Sequence, residues 1–328
     1  MDDSELKAIA REYNGILGKV KKEVSRIVVG QEATVDNIIR GLLANGHILV
    51  EGVPGIAKTL LIRALSAATG GVFSRIQFTV DLLPTDITGL TAYSEQKGFY
   101  VIKGPVFANF LLADEINRAP PKVQSAMLEA MAERQVTIGK ETFPMMKPFF
   151  VLATENPIET SGTYPLPEAQ VDRFLFKVKM GYPDMSEEKE IMKTNIQLMR
   201  FEDYGLKAIT APEKIIEMQD AVKKVYMSKD LEQYIIEMVD STRHPDKYGI
   251  ELGKYIEWGA SPRASIFLFI SSKACAFQRG ETFVTPSHVK EVAHDVLRHR
   301  VILNYEGLAE NVTTDDVVSE ILSKVPVP

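Results

Sequence analysis

Apolar residues recur at helical spacing over 5–28 (Leu6, Ile9, Ala10, Ile16, Val20, Val24, Ile27) and again from Ala33 to Ala44, which predicts two amphipathic helices. The pattern then changes. His47-Ile48-Leu49-Val50 is a short run closed by a glycine, too short for a helix and suited to a strand covered on both faces. Further strands are predicted at Arg75–Phe78, Phe110–Ala113, Phe149–Thr154 and Phe174–Val178, with helices at 58–69 and 120–134 between some of them. Continuous apolar strands separated by helices imply an α/β fold, a parallel sheet with helices on both faces. Two hairpins interrupt it: Leu90–Tyr93 with Phe99–Ile102 around Lys97-Gly98, and Gln135–Ile138 with Glu141–Phe143 around Gly139-Lys140.

Beyond Pro183 the strands give way to helical periodicity over 186–201, 212–226, 230–242, 261–279 and 286–300. This places an α/β domain at 1–184 and a helical domain at 185–328, as expected for 328 residues at about 150 per domain. Lys plus Arg is 38 and Asp plus Glu is 44, a net charge of −6, which argues against a protein whose main task is coating nucleic acid. The single cysteine, Cys275, excludes a disulfide framework and a Cys-based zinc site, and its apolar helical setting predicts a buried, inert thiol. Residues 1–14 are charged and lack a signal peptide's apolar region. The run Ile266–Ile270 is far short of the ~20 residues of a membrane helix. A cytoplasmic protein is expected.

The sharpest chemical signal is Gly52-Val53-Pro54-Gly55-Ile56-Ala57-Lys58-Thr59-Leu60, which follows the first strand and opens a helix, the context of a P-loop. Backbone N–H groups there cradle phosphates, Lys58 reaches the β and γ phosphates, and the Thr59 hydroxyl can ligate Mg²⁺. One position departs from the pattern: Ala57 stands where glycine is usual. Alanine tolerates positive φ poorly, so either the turn keeps a negative φ or the motif is degenerate. Downstream, Phe110–Ala113 ends in Asp114-Glu115. An Asp delivered by a strand beside the P-loop strand can hold Mg²⁺ through water, and the adjacent Glu can act as general base on a water molecule. A third strand ends in Glu155-Asn156-Pro157, where the Asn156 amide could bond the γ-phosphate or the lytic water, or simply form a turn.

Gly-Val-Pro-Gly-Ile-Ala-Lys-Thr, Leu-Leu-Ala-Asp-Glu-Ile-Asn-Arg-Ala and Ala-Thr-Glu-Asn-Pro together resemble the MoxR family of AAA+ ATPases. So do Gln77-Phe78-Thr79, Asp81–Asp86 and Tyr164–Gln170, and the likeness spans roughly 15–305. It implies a RecA-like P-loop domain with a small helical lid, homo-oligomeric rings that are usually hexameric, and ATP with Mg²⁺ as cofactors. Ala57 is usual in that family. The resemblance makes Asn156 sensor 1 and Arg263, in Ala-Ser-Pro-Arg-Ala, the sensor 2 arginine of its own subunit's ATP. Pro262 suits a helix start that presents that guanidinium, although on the residues alone a surface arginine at a helix start is the stronger reading. Arg173 matches the arginine finger aimed at a neighbouring subunit's ATP; an ion pair with a local acid such as Asp172, or Arg118 as the finger, are the competing readings. Val28, Val29, Gly30 and Gln31 match the adenine pocket.

The expected function is Mg²⁺-dependent ATP hydrolysis coupled to chaperone-like remodelling or maturation of a partner protein. By family resemblance, that partner is a client or adaptor with a von Willebrand factor type A domain, or one receiving a metal cofactor. Two alternatives compete: a magnesium-chelatase-type motor subunit acting on a porphyrin, and a nucleic-acid-acting AAA+ protein. The latter lacks an appended helix-turn-helix or an aromatic-basic platform. The histidines, including His294 and His299, show no metal spacing. Met145-Met146 beside the second hairpin suits packing or a ring pore.

Overall fold

The computed structural model describes residues 3–53, 55–157, 162–194 and 200–328. Pro54 of the glycine-rich turn, and 195–199 within the helix predicted over 186–201, lie outside the described residues. In chain order the regular elements of the sheet region are α1 (Asp3–Val24), α2 (Glu32–Leu43), β1 (Ile48–Gly52), α3 (Lys58–Ala68), β2 (Phe73–Gln77), α4 (Pro84–Thr88), β3 (Gly89–Ser94), β4 (Gly98–Lys103), β5 (Phe110–Asp114), α5 (Pro121–Glu133), β6 (Gln135–Ile138), β7 (Glu141–Pro144), β8 (Phe150–Glu155), α6 (Glu168–Val171), β9 (Phe176–Met180) and α7 (Met185–Thr194). There follow α8 (Pro212–Lys223), α9 (Lys229–Ser241), β10 (Ile256–Trp258), α10 (Pro262–Gln278), α11 (Pro286–Leu297), β11 (Ile302–Leu303), α12 (Tyr305–Ala309) and α13 (Thr314–Lys324).

The chain divides into two compact units, one of 16–173 with 178–217 and the other of 1–15, 174–177 and 218–328. The five-stranded sheet has the order β2-β5-β8-β1-β9, and the pairs β2/β5, β5/β8 and β8/β1, all within the first unit, are parallel. The unbroken apolar runs of the sequence become the centre of this sheet. Ile48, Leu49, Val50, Phe110, Leu111, Leu112, Val151 and Ala153 are buried to within 1% of full enclosure, which is why no polar residue alternates within them. Truncating one such leucine to alanine would cost about 2–5 kcal/mol. Register is set by the pairs Leu112↔Leu152 and Ala113↔Ala153 on one side of β8 and Glu51↔Glu155 on the other. That register brings the carboxyl ends of β5, β8 and β1 level. α3 packs against β2 and β5. The hairpins β3–β4 and β6–β7 form as predicted, and β3 also touches β6.

The second unit is helical. α10 packs between α9 and α11, and α11 also meets α13. Cys275, on α10, is buried as a free thiol. Several predicted helices end early: 5–28 stops at Val24, 212–226 at Lys223 and 286–300 at Leu297, while Phe201, the last residue of the predicted 186–201, opens a 3₁₀ turn that runs to Tyr204. α13 and the short α4, α6 and α12 carry no sequence prediction; they are too short or too polar for a full amphipathic stripe. Among the described residues, no helix is long and apolar enough to cross a membrane.

Candidate functional site

The glycine-rich turn between β1 and α3 places Gly55 at φ +84° and Ala57 at φ +65°. Ala57 therefore adopts the left-handed conformation, so of the two alternatives left open by the sequence the turn with a negative φ is not the one taken. The conformation is one that costs a non-glycine residue about 1–2 kcal/mol. Ala57 is the residue before the first turn of α3 and offers no side-chain cap, so the first N–H groups of α3 lack a side-chain partner there. The Lys58 Nζ donates to the carbonyl of Gly52 at 2.6 Å, folding the side chain back over the turn. Partial burial pushes its ammonium below the usual lysine range, while the charges of Asp114 and Glu115 oppose that shift. Gly52 and Ile56 are buried, and Val53, Thr59 and Leu60 are half-buried around the same turn.

The two acids lie two strands away, at the end of β5, with β8 between. Asp114, 9% exposed, accepts on Oδ2 from Arg75 Nη2 at 2.6 Å and Nε at 3.1 Å, and on Oδ1 from the Thr154 hydroxyl at 2.7 Å. Glu115 is left-handed at φ +56°. Its N–H donates to Thr154 Oγ1 at 2.8 Å, and its Oε2 accepts from Gln77 Nε2 at 2.9 Å and from Arg118 Nη1 at 3.2 Å. Thr154, fully enclosed on β8, thus ties both acids to the neighbouring strand. Asn156, 4% exposed, follows two residues on at the same strand's end.

The structure therefore brings together the turn holding Lys58 and Thr59, the Asp114–Glu115 pair and Asn156. Three partners of the acids were not foreseen: Arg75, Gln77 and Thr154. Their only signal in the sequence is a polar residue near the end of a predicted apolar strand, and contact depends on register.

Arg173 lies in the same unit, half-buried, and donates Nη1 to the Leu128 carbonyl of α5 at 3.0 Å. It lines a cavity of about 510 Å³ with Glu129, Glu133 and Gln170. Arg118 is exposed and paired with Glu115. Among the residues expected around adenine, Val28 is buried, Val29 half-buried and Gly30 at φ +72°. Gln31 donates Nε2 to the Gly181 carbonyl at 3.4 Å. Arg263 belongs to the other unit, exposed in the first turn of α10, where its N–H donates to Ser261 Oγ at 3.2 Å and Pro262 opens the helix. Met145 is buried and Met146 is 38% exposed. His47 and His299 serve packed backbone carbonyls. Among the described residues, no cluster of three His, Cys, Asp or Glu side chains could hold a metal by itself.

Residues 47–176 match the model of the ATPase family associated with various cellular activities (AAA), and 253–321 match the AAA lid domain. The chain is 47% identical to the chaperone MoxR1 of Mycobacterium tuberculosis over 308 residues, covering 93% of this chain and 81% of that protein. It belongs to the MoxR family of AAA+ ATPases. YeaC of Bacillus subtilis is 41% identical over 98% of both chains. A solved structure from Cytophaga hutchinsonii, assigned as an ATPase, superposes with a TM-score of 0.92 at 48% identity, over 99% of this chain and 98% of that one. The sheet and the helical unit are accordingly the RecA-like P-loop fold and helical lid of MoxR proteins. The chain is a MoxR-type ATPase with a chaperone-like role.

Proposed function

We propose that the three strand ends form the hydrolytic centre for ATP and that its turnover remodels a partner protein. What carries this reading is the convergence of the Lys58 turn, Asp114–Glu115 and Asn156 at the carboxyl ends of β1, β5 and β8, where open parallel sheets take their ligands. The turn from Gly52 to Leu60 and the uncapped start of α3 hold the phosphates, with Lys58 as the charged anchor. Thr59 and Asp114 offer the hydroxyl and carboxylate oxygens that Mg²⁺ accepts, the remaining ligands being phosphate and water. They fit it, since the three hydrogen bonds at Asp114 leave its carboxylate lone-pair capacity in hand. When bound, the cation neutralises charge on the phosphates.

Glu115 takes the proton of the attacking water, and Asn156 orients that water. Val28, Val29, Gly30 and Gln31 border the adenine. Arg263 of the lid contacts the phosphates of its own subunit, and Arg173 those of its neighbour, so activity requires assembly. In the same reading 1–184 is the nucleotide-binding part and 185–328 the lid. The protein works in the cytoplasm as a homohexameric ring on a client or adaptor, for which a von Willebrand factor type A domain is the expected partner.

Glu115→Gln tests the centre. It should keep ATP affinity within about twofold and lower kcat by on the order of 10²–10⁴. Turnover near that of the unaltered protein would remove Glu115 from the role of base. Capture of a purified von Willebrand factor type A protein by this variant only in the presence of ATP would support the partner assignment.

A further inference from the structure

Immediately after Arg173 the chain passes through Phe174–Lys177, four residues that group with the helical unit although the residues on either side group with the sheet unit. Basic side chains just past the end of α11 hold them. Arg300, 4% exposed, donates Nη2 to the Phe174 carbonyl at 2.5 Å and Nη1 to the Leu175 carbonyl at 3.4 Å. The same guanidinium reaches the Val296 carbonyl in the last turn of α11 and lies 4.8 Å over the Phe267 ring. His299 donates Nε2–H to the Phe174 carbonyl at 3.1 Å. Burial, and then Arg300, keep that ring neutral by lowering its pKa well below the usual histidine value. Arg298 donates Nη1 to the Lys177 carbonyl at 2.5 Å, and Asp295 and Asp315, each at 2.7 Å, brace its guanidinium.

A buried guanidinium is costly unless its donors are met. Here three consecutive side chains spend those donors on the backbone of one short segment. That segment begins one bond from Arg173 and continues into β9, whose last residue, Met180, comes within about 3 Å of where a side chain on Gly52 would start. It therefore joins the candidate trans-acting arginine to the start of the phosphate turn.

We propose that Arg298, His299 and Arg300 are positioning residues for Arg173: they clamp Phe174–Lys177, the segment that begins one bond from Arg173, and so fix where its guanidinium is presented and set turnover in the neighbouring subunit. This rests on the reading of Arg173 as trans-acting. A displaced catalytic group costs on the order of 10- to 100-fold in rate without loss of binding, and loss of the clamp should give that signature.

The test uses full-length Arg300→Gln, Arg298→Gln and His299→Asn, each checked for folding by thermal melting. Each is assayed for fluorescent-ATP affinity and for kcat and KM, alone and mixed with Lys58→Ala, which supplies an intact Arg173 without a working nucleotide site. The expected result is ATP affinity and KM within about twofold, kcat lowered about 10- to 100-fold, and activity regained on mixing. Arg173→Ala is run in parallel. If Arg173→Ala is fully active, or is not rescued by Lys58→Ala, the reading of Arg173 itself falls. If Arg173→Ala is rescued but the folded clamp variants are not, or turn over ATP at the unaltered rate, the clamp is overturned. Failure of all three to fold would assign the cluster to stability alone and overturn it equally.

Discussion

Helices in the two units begin differently. In the helical unit, α9 starts on Ser228, which accepts from the Leu231 N–H at 3.3 Å, and α10 starts on Ser261. Asn304 accepts from Gly307 at 2.9 Å to open α12, and Thr313 from Asp316 at 3.1 Å to open α13. These side chains satisfy N–H groups that a helix cannot satisfy internally. In the sheet unit, α3 starts on Ala57, without a capping oxygen and in a left-handed conformation. Its neighbour α5 is uncapped as well, but opens with Pro121, which has no N–H to satisfy. α3 thus keeps a backbone charge that suits an anion. Four helices of the helical unit thus carry capping oxygens, whereas α3, like α2 and α5 of the sheet unit, carries none.

The largest effect that tests this contrast is at Thr154. Thr154→Val keeps the shape but removes the hydroxyl that accepts from Glu115 N–H and donates to Asp114. It should cost about 1–3 kcal/mol of stability and lower kcat about 10- to 100-fold. Urea melts and steady-state ATPase assays measure both, and an unchanged kcat would show that the acids hold their positions without β8.

His47 sharpens the contrast by pH. Burial, and next the Arg134 charge, depress its pKa to about 3, and its neutral ring accepts from the Val151 N–H at 3.1 Å. The depressed folded value means that the unfolded chain protonates first. Its stabilising contribution is complete above about pH 6.5 and is lost as pH falls from there toward 3, at up to about 1.4 kcal/mol per pH unit. Denaturant midpoints of the protein and of His47→Gln between about pH 7 and pH 5 should show a shallower slope in the variant. Equal slopes would assign acid sensitivity elsewhere, His299 first.

The smallest effects separate strain from capping. Ala57→Gly relieves the left-handed alanine but loosens the unfolded chain, a net gain of about 0.5 kcal/mol. Thr313→Ala should lose about 1 kcal/mol and leave nucleotide affinity unchanged. Melting temperatures paired with fluorescent-ATP titrations check both. A change in ATP affinity in Thr313→Ala would break the contrast between structural caps and the open helix start.

Much of the site was legible because its chemistry sits where local patterns end. An apolar run followed by a glycine-rich turn and Lys58-Thr59, or by Asp114-Glu115, is visible without any partner. α13 also left a signal, since Thr313 and Asp316 form a capping box before Val317, Val318 and Ile321, but a stripe that short falls below what periodicity detects. Arg75 and Gln77 left only their place on a predicted strand, and the Arg298–Arg300 cluster left no signal, because their meaning lies in which backbone or acid they meet.

By itself, then, the sequence determined the buried strands, the order of alternating elements, the phosphate turn and the residue types of the centre, all encoded within a few residues of one another. Tertiary structure alone decided that Ala57 takes a left-handed turn, that Thr154 links two acids on the adjacent strand and that Arg300 grips the chain beside Arg173. Those outcomes depend on the register of parallel strands and on contacts more than a hundred residues apart in the chain. Local propensity carries no information about either.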